Sequence, residues 1–294
     1  MIAARSPLVR WETPLWVGWF VAGVSLVAVV GFLDDLRKLP ILLRLPLHGV
    51  AAGLLIAGGI RIRAMDVPIL GVIKLGTFEI PLTILWIIAV VNFYNFMDGI
   101  DGLAAGVGII VTGFLAYIAW KGQNTDMLIL GVLLGGSCAG FVWHNFPPAR
   151  LFMGDVGSTF IGFVLAALAV VGNQSEGPGH IPLSVPVLLL GAFLFDTVVT
   201  LFRRILRREK WYLSHRDHYY QRMTGLGCSH LQVTLGEYGV TFLLGLSALL
   251  YIRANQMLAL SILCIWLMIL AGSTRLISTL EKRTIRERDR NPSA

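Results

Sequence analysis

Five carboxylates carry the strongest chemical signal in this 294-residue chain: Asp34, Asp35, Asp98, Asp101 and Asp155. Each stands where a long apolar run gives way to a polar loop, and a sixth, Asp196, lies inside an apolar run. An ionisable group at membrane depth is expensive unless it faces a wet cavity or a partner. Pairing with nearby loop arginines is one explanation for any single acid. Five at one membrane depth point further. Carboxylate oxygens gathered beside cations are what Mg²⁺ requires, and that ion typically shares one or two carboxylates with substrate phosphates. The acids therefore predict phosphate chemistry at a membrane surface.

The segments around them sharpen this. Val30-Gly-Phe-Leu-Asp34-Asp35-Leu-Arg-Lys-Leu-Pro40 ends an apolar run with an acidic pair, a basic pair and a helix-stopping proline. Two adjacent carboxylates in low dielectric call for a cation, although an interfacial helix end would read similarly. Asn92-Phe-Tyr-Asn95-Phe-Met-Asp98-Gly-Ile-Asp101-Gly places Asn92 with Asn95, and Asp98 with Asp101, at the i,i+3 spacing of one helix face. Gly99 and Gly102 would let a ligand approach the backbone closely. Asn145-Phe-Pro-Pro-Ala-Arg150-Leu-Phe-Met-Gly154-Asp155-Val-Gly157-Ser158 precedes another apolar run. Amides at that helix start could receive phosphate oxygens and Asp155 a metal, or Asp155 and Ser158 could simply cap the helix. The loop 203–234 holds Arg203, Arg204, Arg207, Arg208, Lys210 and Trp211, then His215-Arg216-Asp-His218-Tyr-Tyr-Gln221-Arg222. Cations with an aromatic beside a bilayer suit anionic headgroups or diphosphates. With no cysteine or third histidine within five residues of His215 and His218, zinc fits poorly.

What must position these residues follows from composition. The chain is 56% hydrophobic and only 14% charged, with a mean hydropathy of +0.74. Soluble domains run near 25% charged, so a soluble enzyme, a disordered chain and a disulfide scaffold are excluded. Apolar runs near 15–33, 47–63, 80–97, 103–120, 127–144, 157–173, 182–202, 235–252 and 257–277 predict about nine transmembrane helices, an all-α polytopic bundle forming one domain over 1–294. The first run follows Arg5 and Arg10 but leads to no small-residue cleavage site, so it reads as a span rather than a signal peptide. The alternating segment Lys74-Leu-Gly-Thr-Phe-Glu-Ile80 predicts a small hairpin between the second and third runs. Odd-numbered spans end on a face that collects 17 of the 24 basic residues, which places that face, the acids and the C-terminus in the cytoplasm and the N-terminus outside. The +7 net charge thus reports topology and not nucleic-acid binding.

Taken together, the four segments resemble the polyprenyl-phosphate N-acetylhexosamine-1-phosphate transferases. The Asp-Asp turn, the Asn-x-x-Asn-x-x-Asp-Gly-x-Asp-Gly run, the Gly-Asp-x-Gly-Ser turn and the histidine loop occur in that family's order, over about Val24 to Arg222. His-Arg-x-His-x-Tyr-Gln-Arg, with Asp196-Thr-x-x-Thr-Leu-x-Arg-Arg upstream, is similar to the branch that starts O-antigen and related glycans; the peptidoglycan branch carries three consecutive histidines instead. The resemblance implies a bacterial inner-membrane enzyme that moves an N-acetylhexosamine-1-phosphate from a UDP-sugar to undecaprenyl phosphate and releases UMP. It implies Mg²⁺ (or Mn²⁺) on Asp155 and Asp98, with Asp34 and Asp35 beside the metal and the lipid phosphate; Asp34, Asp35 and Asp155 count among the catalytic residues, with Asp34 the candidate general base. Asn92, Asn95, Asp98 and Asp101 would shape the nucleotide-sugar pocket, helped by Asn145. Asp196, His215, Arg216, His218 and Arg222 would serve the diphosphate or sugar side, with His215 and His218 counted among the catalytic residues. Membrane lipids, and a second copy in a homodimer, are the further partners expected. A lipid I translocase-like phospho-MurNAc-pentapeptide transferase is the alternative activity. Family members usually carry two more spans and a Pro-Thr-Pro-Arg-Gly-Gly-type loop ahead of the Asp-Asp turn. Residues 1–14 hold no such loop, which adds an inactive scaffold as a further alternative.

Overall fold

A computed structural model describes residues 15–210 and 215–290, with side chains described as far as Thr284. Arg5, Arg10 and Trp211, which entered the reading above, lie outside the described residues. The chain folds as a helical bundle. Its long helices are α1 (Leu15–Arg37), α3 (Glu79–Phe96), α4 (Leu103–Lys121), α5 (Thr125–Asn145), α6 (Gly154–Gln174), α10 (His230–Arg253) and α11 (Gln256–Arg290). Between them lie α2 (Ile41–Ala57), α7 (Ser184–Leu189), α8 (Gly191–Leu206) and α9 (Tyr219–Gly225).

Seven helices are long and apolar enough to cross a membrane, which makes the chain a multi-pass membrane protein. The remaining two expected spans take other forms. The run predicted at 47–63 is the 17-residue α2, which begins directly after Pro40 and contains Pro46. The run predicted at 182–202 is broken at Leu190 into α7 and α8, with a bend of 54°. A hairpin does stand between α2 and α3, but it pairs β1 (Ala64–Val67) with β2 (Gly71–Lys74). Of the segment expected to form it, 74–80, Lys74 ends β2, Gly76–Phe78 make a tight helical turn and Glu79 begins α3. Alternation there misled because Gly76 adopts φ +54°, which turns the chain and ends any strand.

α6 is the central post, buried on almost every residue from Ser158 to Asn173 and packed against α1 and α3. In hydrocarbon, helices gain little from apolar burial, so close approach and shared hydrogen bonds hold them together. A Cβ on Gly162 would sit 3.0 Å from the Val91 Cα, so glycine brings α6 and α3 into backbone contact. Trp86 Nε1 donates to the Ala166 carbonyl at 3.1 Å across the same interface, and the Tyr94 hydroxyl donates to the Ala104 carbonyl at 2.6 Å. α4 packs on α5 and α10, and α11 lies at the periphery. Contacts among the ends of α1, α3 and α5, the starts of α6 and α10, and the short α9 bring the described residues of the polar segments singled out above to one end of the bundle. The hairpin and the turns at 122–124 and 175–183 fall at the other.

Candidate active site

The end of α1 and the start of α6 are tied by Asp35. Its carboxylate accepts the backbone N–H groups of Asp155 at 2.8 Å and Val156 at 3.1 Å, satisfying two of the donors left free at a helix start. Asp155 therefore does not cap its own helix; Asp35 does so from 120 residues away. The approach requires Gly154, whose φ is +65° and where a Cβ would lie 2.6 Å from an Asp35 oxygen. This frees the Asp155 carboxylate for other partners. Asn95 Nδ2, at the end of α3, donates to Asp155 Oδ1 at 2.8 Å and to Ser158 Oγ at 2.9 Å.

Arg44, on α2, is the residue that sequence reasoning passed over. Its guanidinium lies 3.3 Å from Asp155 Oδ2 and forms a close ion pair with the buried Asp34, which also accepts the Leu39 N–H at 2.5 Å. The signal was present: Arg44 is the only charged residue in the apolar segment Ile41–Ala57, which is itself grounds for suspecting a role.

Asp98 follows α3 in the turn before α4. Burial, then the neighbouring charges of Asp155 and Asp35, push its carboxyl up to about 8. With Asn95, Asp101, Asn145 and Asp155 it lines a cavity of about 360 Å³. Asp101 accepts the Ala149 N–H at 3.1 Å and lies 3.5 Å from His230, the first residue of α10. Asn145 clamps two loops, accepting the Gly102 N–H at 3.0 Å and donating to the Leu151 carbonyl at 2.8 Å. Asn92 does not reach this cavity. It is buried against α2, donating to its own helix at Ile88 and lying 3.2 Å from His48 Nδ1.

The histidine loop is built on Asp196. This buried carboxylate accepts the Tyr219 N–H at 2.9 Å and the Tyr220 N–H at 3.4 Å, so it caps α9, and it lies 3.1 Å from His218 Nδ1. Asp196 is thus an anchor inside the protein, away from the cavities it was expected to line. His218 is buried, stacked with His215 at 5.0 Å and with Tyr220 at 6.0 Å. Burial, then the His218 and Arg204 charges, hold His215 below the ordinary imidazole range, favouring the neutral ring. Arg204 pairs with Asp217 and Glu209, which ties down both flanks of the loop. Beside the acidic cavity lies a second one of about 840 Å³, lined by Arg203, Arg216, Gln221, Arg222 and Glu281 among others. The two share Gly99, Ile100 and His230. Of the expected site residues, Asn95, Asp98, Asp101, Asn145 and Asp155 thus line the first cavity, and Arg216 and Arg222 the second.

Among the described residues, no three His, Cys, Asp or Glu side chains converge tightly enough to hold a metal unaided. The donor set nonetheless suits Mg²⁺, which seldom uses a full protein cage and takes one or two carboxylates with water and phosphate. Asp98 and Asp155 are two acids whose charges oppose one another, a conflict that a divalent cation resolves.

A multi-pass helical membrane protein with an acidic and a basic cavity side by side at one end of the bundle is the class these observations define. Comparison with known proteins gives the family. The profile described as "Glycosyl transferase family 4" matches residues 17–173, and the chain belongs to that family. It is 32% identical over 260 residues to the "Probable undecaprenyl-phosphate N-acetylglucosaminyl 1-phosphate transferase" of Bacillus subtilis (strain 168), covering 87% of this chain and 72% of that protein. It is 32% identical over 239 residues to the "Decaprenyl-phosphate N-acetylglucosaminephosphotransferase" of Mycobacterium leprae (strain TN), covering 74% of this chain and 60% of the relative. Similarity extends to the "Phospho-N-acetylmuramoyl-pentapeptide-transferase" of Borreliella afzelii (strain PKo), 29% identical over 261 residues, with 77% of this chain and 71% of the relative covered.

Proposed function

We propose that the protein transfers an N-acetylhexosamine-1-phosphate from a UDP-sugar to undecaprenyl phosphate, releasing UMP, and so begins a cell-surface glycan such as O-antigen at the cytoplasmic face of the inner membrane. One observation carries the reading: a carboxylate-lined cavity adjoins an arginine-lined cavity at the membrane end, sharing Gly99, Ile100 and His230. A reaction between two phosphate compounds needs a cation site and an anion grip next to each other. The names of the relatives, two of which specify a polyprenyl phosphate and N-acetylglucosamine, support the substrate class.

In this reading an oxygen of the lipid phosphate attacks the β-phosphorus of the UDP-sugar, and the bond to the UMP oxygen breaks. The nucleophile is a phosphate monoester, already substantially ionised, so positioning and charge neutralisation outweigh base catalysis. Asp155 and Asp98 would hold Mg²⁺, which supplies charge neutralisation on the diphosphate when bound. Asn95 fixes the Asp155 carboxylate, and Asp35 fixes the backbone beneath it. Asp34 has its oxygens committed to Arg44 and Leu39, so its role is to orient Arg44 rather than to take a proton. Arg216 and Arg222 would face the diphosphate, and buried His218 supports the loop that presents them.

The test is UMP release by the purified chain in lipid nanodiscs, with undecaprenyl phosphate and a panel of UDP-sugars, with and without Mg²⁺. Mg²⁺-dependent release with a UDP-N-acetylhexosamine is the expected result. Turnover only with UDP-MurNAc-pentapeptide would move the assignment to the peptidoglycan reaction, and no turnover with any donor would overturn it.

A further inference from the structure

The larger cavity includes a residue from a helix so far without a role. Glu281 stands near the end of α11 and is the only acid between Gln256 and Thr284. Its carboxylate takes the guanidinium of Arg222 edge-on: Nε donates to Oε1 at 2.7 Å, and NH2 makes a close ion pair with Oε2. NH2 also donates to Ser278 Oγ at 3.0 Å, one turn earlier on α11. The ring of Tyr219 covers one face of the guanidinium, with its centroid 4.6 Å from Cζ. A guanidinium has five N–H donors. Glu281 and Ser278 take those on Nε and NH2. NH1 is buried and has no partner among the described residues, although the Arg222 side chain is only 10% exposed. A buried cationic donor left without an acceptor is costly and calls for an explanation.

We propose that Glu281 is a positioning residue: by fixing one edge of Arg222 it holds the guanidinium in the wall of the basic cavity and leaves NH1 as the donor for a substrate phosphate oxygen, which it would meet once a small side-chain shift uncovers it. The inference rests on the function proposed above. It makes the C-terminal helix, otherwise peripheral to the bundle, part of the substrate grip. Glu281 therefore works with the anionic ligand and does not compete with it, since the two use different N–H groups of the same side chain. The phosphate could belong to the nucleotide-sugar or to the lipid, and the experiment separates the two.

The full chain is compared with Glu281→Gln and Ser278→Ala. Equilibrium binding of UDP and its displacement by UDP-N-acetylglucosamine report on the nucleotide, and KM for undecaprenyl phosphate reports on the lipid. Glu281→Gln is expected to weaken one of these about tenfold while kcat stays within about twofold, the signature of a lost charge-assisted orientation. Ser278→Ala, which keeps the ion pair, should weaken the same substrate about twofold. Glu281→Asp, able to reach the same edge after a small shift, should recover part of the loss. Unchanged affinity for both substrates, or tighter binding in Glu281→Gln, overturns the inference while wild-type turnover leaves the proposed function standing. Loss of folding in Glu281→Gln with no effect of Ser278→Ala also overturns it, since the contact would then be a structural brace. A wild-type chain that neither binds UDP nor releases UMP defeats both.

Discussion

Asp98 carries the clearest pH signature among individual residues. Its carboxyl titrates near 8 in the folded protein and near 4 in an unfolded chain. The folded state therefore holds a proton that the unfolded chain has released, and the cation-free protein should lose stability as pH rises from about 4 towards 8. Mg²⁺ should offset that loss, and its apparent affinity should climb by up to about tenfold per pH unit below 8, because the proton must leave when the cation binds. Thermal melting between pH 5 and 9, with and without Mg²⁺, checks both; a flat Mg²⁺ response would remove Asp98 from the metal. At Asp155, replacement by Asn keeps much of the shape that meets Asn95 but removes the charge. Mg²⁺-dependent UMP release should fall by about 10²- to 10³-fold with little change in melting temperature. Both residues were legible in the sequence because an acid at the end of an apolar run has few structural excuses. Asn92 was misread for a definite reason: i,i+3 spacing fixes the face of a helix, but not which neighbour covers it. Asn95 meets α6, whereas Asn92 meets His48 on α2.

The helices were largely visible as apolar runs, and the exceptions are those whose form depends on neighbours. α2 starts ahead of the predicted run, directly after Pro40, and is short because Gly58 and Gly59, the latter at φ +84°, end it at Ala57. The break at Leu190 divides what reads as one continuous span. Pro186 and Gly191 flank the break, but a reading by hydropathy alone passes over both because the run around them stays apolar. Asp196 belongs to this scale as well. Its sequence position suggested a ligand, but its oxygens are used to start α9 and hold His218. Replacing Asp196 with Ala strips two amides and a histidine of their acceptor, at a cost of about 2–3 kcal/mol. The expected outcome is a lower melting temperature, faster proteolysis within 207–218 and weaker UDP binding. Wild-type protease resistance would show that the loop is held by other contacts.

For the molecule as a whole, the three cysteines offer a test of orientation that needs no substitution. Cys228 is half-buried in the turn joining α9 to α10, at the end that bears both cavities, while Cys138 is buried and Cys264 is exposed along α11. A membrane-impermeant maleimide should label Cys228 in inverted vesicles and not in intact cells, as the distribution of Lys and Arg predicts. Cys264 should resist that reagent on both sides and react with a lipid-soluble one. Labelling of Cys228 from outside would invert the proposed topology. The clamp between Asp35 and the start of α6 also bears on how the protein is made. The carboxylate leaves the ribosome 120 residues before the amides that receive it. At about 5–20 residues per second, it waits roughly 6 to 24 s beside the membrane with its neighbour Asp34. The clamp is therefore an event of late biogenesis, closed only once α6 has entered the membrane and met α1. Glu281 reaches Arg222 later still, so on the proposed assignment the newborn chain passes through a stage in which its acidic half is complete and its basic half is not.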